Sequence, residues 1–511
     1  MKRNLLTRAG ALLLVAGLLA GCGGSGGDTG SSTAASQAPA EASTAAAETS
    51  QAQAEASQPE ETTEEPAEQI TLRVYDWSDA VLPYREKFHE EFMKNNPDII
   101  VEYTQLTIDQ FNSTVVTAIA SGEGPDLFPV PTNMNLTIAV NENWFLPMED
   151  YVSQEFIDSF VDGILVDGLF TLNGHLYTVP EAQTPPNTMF YYNKDILEAC
   201  NLEVPTTFEE FREACRIVTE QGNGEYWGLI EGGSQANRCD ILLRAFIQGA
   251  GGKIANQGRA LTVDGKAPYD TPEVEAAVEL LAGIVEDGSL YPDTASINAP
   301  EARELFGQGK AAFLCQGIWC IGTWGNDHPE LNYGVMAPPK NSANGYAAVN
   351  ENQTWMGIYS QTKYPEQAAR YLEALYDTEN YTYQSDVVGS GSYVSPTKGV
   401  NEVSMTNPVM LEYYDAASEC INIPLLTQRD PVFYDFYATV QGVDPSFANI
   451  AQGILSQALD DPMDALRTLT EAETAAWQAA CDAIGVDFSD MEFENWEAGK
   501  DYTEADYANL P

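Results

Sequence analysis

The sequence predicts an α/β fold built on two hydrophobic cores, and three observations carry that expectation. From Ile70 to Val130 strand-like and helix-like segments alternate, the pattern of a parallel sheet with crossover helices. At 511 residues the chain is too long for one core and long enough for two. Residues 174–197, GHLYTVPEAQTPPNTMFYYNKDIL, read as a turn, a strand (175–179), a connector stiffened by Pro185 and Pro186, a second strand (189–192) and a helix opening at Asn193. Such a connector does not close a simple hairpin. It fits a chain that crosses from one domain to another.

The chain opens with a segment that is not part of the fold. Lys2, Arg3 and Arg8 precede an apolar run, residues 9–20, which is the pattern of a signal peptide and is too short for a spanning helix. It ends Leu19-Ala20-Gly21-Cys22, which resembles a bacterial lipobox and implies cleavage before Cys22 and a lipid on its sulfur. Residues 1–21 are therefore expected to be a lipoprotein signal peptide. Residues 22–69 are small and polar and lack Lys, Arg and aromatic side chains, so they are expected to form a disordered tether.

Beyond the tether, residues 70–77 alternate apolar and polar as a first strand does. A helix over 82–96 carries Phe88, Phe92 and Met93 on one face and stops at Asn96-Pro97. A second strand at 99–103, a helix at 109–121 and a short strand at 125–130 complete the alternation. Ligands of parallel sheets bind at the carboxyl ends of the strands. Those ends here are Trp77-Ser78-Asp79 and Pro131-Thr132-Asn133. Farther on, Thr207 and Glu210 have capping-box spacing at the start of a helix. Strands are expected at 226–230, 310–316, 333–336 and 355–360, and helices at 241–248, 271–287, 301–307, 364–376, 410–420, 447–459 and 464–484. Residues 389–396, GSGSYVSP, read as a loop, and the acidic end, 487–511, shows no period.

Charge narrows the partners. With 24 Lys+Arg against 76 Asp+Glu the net charge is -52, and no basic patch follows the leader. Nucleic acid needs Lys and Arg for its phosphates, so it is not an expected partner. Cys200, Cys215, Cys239, Cys315, Cys320, Cys420 and Cys481 are scattered and odd in number, which implies no disulfide framework. The 3 histidines, His89, His175 and His328, have no second ligand at metal spacing, so no metal and no cofactor is expected.

Several motifs in order resemble one family. Gly174-x-Leu176-Tyr177-x-Val179-Pro180, Tyr191-Tyr192-Asn193-Lys194-Asp195 and Pro205-Thr206-Thr207-Phe208-Glu209-Glu210-Phe211 form the central group. Ala118-x-x-Ser121-Gly122-x-x-Pro125-Asp126-Leu127-Phe128 precedes them. Phe306-x-x-Gly309-Lys310-Ala311-Ala312-Phe313-x-x-x-Gly317-x-Trp319 and Pro365-Glu366-x-Ala368-Ala369-x-Tyr371-Leu372 follow. Together they resemble the extracellular solute-binding proteins of ABC importers, in particular the sugar-binding group that includes maltose-binding protein. The resemblance spans residues 70–484. The Pro185-Pro186 pair, an insertion between Asn422 and Phe447 and the acidic end depart from the family pattern.

The resemblance implies a two-lobe periplasmic-binding-protein-like fold with hinge crossings and ligand in the interlobe cleft. Lobe 1 would comprise residues 70–182 and 357–405. Lobe 2 would comprise 183–356 and 406–511. It implies a protein that catalyses nothing, held at the extracytoplasmic face of the cell membrane by its lipid. A monomer is expected, capturing a carbohydrate, in particular an oligosaccharide, for the permease subunits of an ABC importer. The alternatives are a secreted carbohydrate-active hydrolase and a binder of a non-sugar solute.

Sugars present an apolar ring face to aromatic side chains and a rim of hydroxyls to planar polar groups. Carried onto this chain, the family pattern makes Trp319 the main stacking ring. Trp77, Asp79, Thr132 and Asn133 sit at strand ends, Glu181 and Gln183 at the crossing, and Asn237 and Arg238 after a polar loop. Trp355 lies at the return crossing and Tyr393 in the small-residue loop. Trp144, Tyr191, Tyr192 and Trp227 are expected in the core instead, and Asp126 at a turn or cap. Ser395-Pro396-Thr397-Lys398 matches the S-x-x-K of serine acyl enzymes, but no Lys-Thr-Gly follows it.

Overall fold

The computed structural model describes residues 69–132, 134–183, 189–349, 354–502 and 506. Cys22, the tether, Asn133, Pro185 and Pro186 lie outside the described residues. Residues 66–511 form a compact unit. Its strands are β1 (Ile70–Asp76), β2 (Ile99–Gln105), β3 (Leu127–Pro129), β4 (Thr171–Leu172), β5 (His175–Leu176), β6 (Phe190–Asn193), β7 (Trp227–Ile230), β8 (Ala311–Cys315), β9 (Tyr333–Met336) and β10 (Met356–Ile358).

They make two principal sheets, ordered β10-β3-β1-β2 and β7-β8-β6-β9, with β4 and β5 as a separate hairpin. In the first sheet β1 runs parallel to β2 and β3, and the helices Leu82–Asn95 and Ile108–Ala120 are the crossovers, as the alternation predicts. β10 returns antiparallel along β3. In the second sheet β6 is antiparallel to β8 and β9, and β7 is parallel to β8.

Local chemistry explains the elements. Leu72 and Val74 of β1 are fully buried while Thr71 is exposed and Arg73 and Tyr75 are half-exposed, the period of a strand covered on one face. Thr107 and Gln110 form a capping box, and so do Thr207 and Glu210: Glu210 N donates to Thr207 Oγ1 at 3.2 Å and Thr207 N to Glu210 Oε2 at 3.1 Å. Each sheet has its own core. Phe88 and Phe92 of the first helix pack with Leu72, Val74, Tyr371 and Leu372, and each such ring contributes about 2–3 kcal/mol by its burial. The second core gathers Phe190, Phe211, Phe246, Phe313, Phe447 and Trp477.

The described residues on either side of the connector contact different sheets. Val179 N donates to Met356 O at 3.0 Å, and Thr178 bridges Gly357 of the first sheet. Phe190 pairs with Cys315 and Met336 of the second. The strand expected at 175–179 is shorter, however. Only His175 and Leu176 form a strand, and they turn back onto β4. Pro180 cannot donate to a ladder, and its carbonyl accepts from the Tyr376 hydroxyl at 2.7 Å.

Three further segments differ from expectation. The loop expected from Gly389 begins later, because the helix Tyr383–Ser390 runs on until Gly391 caps it at φ 87°. The insertion after Asn422 folds as two short helices, Leu426–Arg429 and Phe433–Thr439, which bury Leu426, Phe433 and Phe436 in the second core. The acidic end packs there too: Met491, Phe493, Trp496 and Tyr502 are buried, and Thr262 bridges Glu492.

Candidate functional site

The carboxyl ends of β1 and β3 open onto a cavity of about 190 Å³. Trp77, directly after β1, gives it an aromatic wall and is held edge-on against Phe111 with ring centroids 4.8 Å apart. Val130, Pro131 and Thr132, directly after β3, give the adjoining wall. Asn112 clamps Thr132 by accepting from its N–H at 3.0 Å and donating to its hydroxyl at 3.0 Å. Sheet topology thus delivers two short segments, distant in sequence, to one opening.

The opposite wall comes from parts of the chain that pack with the second core. Helix Ala236–Gly249 contributes Ile241, Arg244 and Gln248. The turn after it contributes Asn256, Gln257 and Arg259. Tyr434 and Tyr437 reach the cavity from the insertion helix Phe433–Thr439. Arg244 is buried, donating to Asp240 and, at 2.8 Å, to Ala255 O, with its guanidinium 4.6 Å above the Phe447 ring. Arg259 lies 5.2 Å above the Tyr437 ring. Gln248 accepts from Ala348 N at 3.3 Å, and Asn256 donates to Val349 O at 3.0 Å, so these amides also hold the strand-like segment that leads into the return crossing.

The rim closes by direct contact. Tyr434 donates its hydroxyl hydrogen to Asp167 O, and its ring lies where a side chain on Gly168 would stand. Gly168 has φ 79°, a left-handed conformation that glycine adopts without steric cost.

A second cluster of expected residues lies beside the crossing. Asp79, two residues past Trp77, accepts from Arg303, which is buried on helix Ala299–Gly307. Glu181 faces Arg85 at 3.5 Å, and Arg85 also reaches Asp76 at 3.3 Å and the Tyr383 hydroxyl at 2.7 Å. Burial pushes the Glu181 carboxyl up to about 8, with Asp76 and Asp79 adding repulsion and Arg85 and Ser78 opposing it. Gln183 is fixed to the return loop: its N–H donates to Val394 O at 2.9 Å and its side chain to Ser395 O at 2.7 Å. Tyr393 sits half-buried next to these residues, in contact with the first core and with a further apolar cluster around Tyr191, Leu314 and Trp324, and burial holds its phenol protonated far above its usual range.

Other expected residues lie elsewhere. Trp355 and Arg238 do not line the cavity. Trp355 is 2 % exposed, with its indole N–H donating to Asp76 at 3.3 Å and Arg85 4.8 Å above its ring. Arg238 is 4 % exposed, pairs with Glu231 at 3.3 Å and donates to Cys315 O. Both are packed below the surface in this structure. Asn237 is not part of the cavity wall; its backbone carbonyl accepts from the lining residue Gln257 at 3.2 Å. Trp319 is half-buried at the start of helix Trp319–Asp327, its ring folded over Gly317, and is not part of the cavity wall.

The S-x-x-K match is a packing motif. Ser395 Oγ donates to Gln384 at 2.6 Å, and Lys398 turns to Asp158 O and Asp162. Arg244, Gln248, Asn256, Gln257, Arg259, Tyr434 and Tyr437 escaped the sequence reading. Two signals pointed toward some of them: the insertion, and the polar stripe of Asp240, Arg244 and Gln248 at helical spacing.

An aromatic wall, several planar amides and two guanidiniums are able to stack on a ring and hydrogen-bond its substituents. Comparison with known proteins agrees with a binding role. The sequence pattern of the family described as bacterial extracellular solute-binding protein matches residues 77–382. A binding protein of Brucella abortus (strain 2308) is 24% identical over 316 residues, 61% of this chain and 73% of that one. Among solved structures, an ABC transporter solute-binding protein of Thermotoga lettingae, bound with α-D-tagatose, superposes with TM-score 0.62 at 19% identity, covering 80% of this chain and 99% of the other. The maltose/maltodextrin-binding domain of Bdellovibrio bacteriovorus, bound to maltotriose, does so with TM-score 0.60 at 19% identity, covering 80% and 100%. These likenesses show a periplasmic-binding-protein-like fold.

Proposed function

The chain belongs to the bacterial extracellular solute-binding protein family, and from that membership we propose that it captures an oligosaccharide outside the cell and delivers it to the permease of an ABC importer. Cys22 would carry the lipid that anchors it to the membrane, and residues 22–69 would be the tether. The two sheets would be the centres of two lobes, residues 70–182 with 357–405 and residues 183–356 with 406–511. Ligand that touches both lobes only when they are closed shifts the population toward the closed form, and that difference in affinity is the whole of the protein's work.

The observation that carries this reading is the cavity itself. One wall is made by strand ends of the first sheet and the other by helices packed on the second core. Trp77, Thr132 and, by neighbourhood, Asp79, Asn133, Glu181, Gln183 and Tyr393 are the proposed contacts on the lobe 1 side and at the crossing. Asn237 and Trp319 are those of lobe 2. The structural relatives bound to tagatose and maltotriose support a sugar as the solute.

Calorimetric titration of residues 66–511 against neutral and acidic oligosaccharides tests the proposal. Saturable binding with the glycan recovered intact is the expected result. Cleavage of a glycan would favour a hydrolase, and absence of binding across the panel would overturn the sugar assignment.

A further inference from the structure

Resting on that reading, we propose that the cavity takes a short saccharide, of three rings at most, and that Tyr434 is the stop that sets this length. Tyr434 belongs to the insertion after Asn422, which departs from the family pattern. Its helix, Phe433–Thr439, turns Phe433 and Phe436 into the second core, where both are buried. Tyr434 and Tyr437, each one position further on, share a neighbouring face and line the cavity. One short helix thus carries a pair of anchors and a pair of rings that meet the ligand.

The first argument is where the two tyrosines end. Tyr437 stays on the side of the second core: its hydroxyl accepts from Ala260 N at 3.1 Å. Tyr434 reaches the first-sheet side. Its hydroxyl donates to Asp167 O and its ring fills the space over Gly168. The insertion helix also packs against helix Leu136–Asn141, whose cap Asn135 and first residue Leu136 line the same cavity. The turn that receives Tyr434 is fixed, since Gly168 N donates to Thr171 O at 2.6 Å and Thr171 Oγ1 donates to Asp167 Oδ1 at 3.1 Å. A ring seated on a fixed turn is an obstacle that a longer chain must displace, and a clash against the wrong ligand is a source of specificity.

The second argument is size. At about 190 Å³ the cavity is smaller than the roughly 300–1,000 Å³ of pockets that enclose drug-sized ligands. Contacts across the molecule also follow Trp77 closely in the chain. Arg303 donates to Asp79, two residues past Trp77, and Asn326 donates to the Tyr84 hydroxyl at 3.2 Å. Arg303 and Asn326 stand on the helices Ala299–Gly307 and Trp319–Asp327, which precede and follow β8 of the second sheet. The wall residues Trp77 and Gly168 therefore each adjoin a place where the first-sheet side and the second-sheet side touch, and a glycan between them has little room to run on.

The test is calorimetry on the full-length protein with malto-, xylo- and chito-oligosaccharides of one, two, three and six rings. In the series that binds, the best probe of three rings or fewer should bind tenfold or more tighter than the six-ring probe. Tyr434→Ala should reduce that preference to about twofold or less, and Tyr434→Phe, which keeps the ring, should preserve it. A merely structural role would weaken every length alike, so an unchanged preference in a folded Tyr434→Ala protein would overturn the residue assignment. Loss of the preference in Tyr434→Phe would overturn the assignment of the stop to the ring. Should Tyr434→Ala fail to fold, the length series on the unaltered protein still decides. A six-ring probe binding as tightly as the shorter ones would overturn the inference and leave solute binding standing. Failure of every series would remove the reading on which the inference rests.

Discussion

Arg303 donates to Asp79, and the pair joins the segment after β1 to the helix Ala299–Gly307, whose end leads into β8. Arg303 is 5 % exposed, whereas the Asp79 side chain is 38 % exposed. If the pair forms only when the two sheets approach, it is a contact of the closed arrangement. Asp79→Ala would leave a buried guanidinium without its partner there, a cost on the order of 1–3 kcal/mol for a half-exposed pair. Ligand affinity should fall about tenfold, chiefly through faster dissociation in stopped-flow traces. Unchanged dissociation would detach this pair from closure.

Gly168→Ala should be destabilising for two separable reasons. Its left-handed φ of 79° is expected to cost a side-chain-bearing residue about 1–2 kcal/mol. Its methyl group would also overlap the Tyr434 ring. Adding Tyr434→Ala should relieve the overlap and leave the backbone cost, so thermal denaturation of the two single variants and the double variant should be non-additive.

Glu181 gives stability a defined pH slope. Its carboxyl is pushed from an ordinary value of 4.5 up to about 8 in the folded chain. Between those values the unfolded chain releases a proton that the folded chain keeps. Stability should therefore decline as pH rises through that window and level off above it. Glu181→Gln should flatten the decline and raise stability at pH 8 by on the order of 1 kcal/mol or more. The acid side should be unaffected, because it belongs in part to His89, held down to about 3 by burial and by Arg85. That imidazole costs stability as pH falls from about 6.5 toward 3. A decline that persists in Glu181→Gln would place its origin elsewhere.

Trp77 and Trp319 can be told apart by affinity. Trp77 is a wall of the cavity, so Trp77→Ala should weaken glycan binding at least tenfold, with stacking worth on the order of 1 kcal/mol or more. Trp319 lies folded over Gly317. A similar loss in Trp319→Ala would show that its ring turns to the ligand on binding, whereas equal affinities for that variant and the parent would give Trp319 a packing role.

Local periodicity made much of the fold legible. β1, β2 and their crossover helices follow patterns of two and of 3.6 residues, and the Thr207–Glu210 cap needs only four consecutive positions. The end of the first pairing near Pro180 was legible because proline removes a donor from a ladder. The site was legible only at strand ends, where topology alone brings Trp77 and Thr132 together. Arg244 and Gln248 were hidden because helix Ala236–Gly249 is buried along nearly its whole length, so its polar stripe of Asn237, Asp240, Arg244 and Gln248 faces the interior of the molecule rather than open solvent. Tyr434 and Tyr437 lie in an insertion whose position no local pattern specifies. The burial of Trp355 was not legible for a similar reason: its indole is satisfied by Asp76, a partner that only tertiary structure supplies.

β3 has all three of its residues buried, and one of its edges is covered by β10, which follows the entire second sheet in the chain. A ribosome therefore exposes an apolar, unpaired strand margin long before it makes the segment that covers it. Any chain stopped short of Met356 would offer that margin to another copy of itself. The first sheet can be finished only after the second has been made, so early, piecemeal folding from the amino end would work against the molecule.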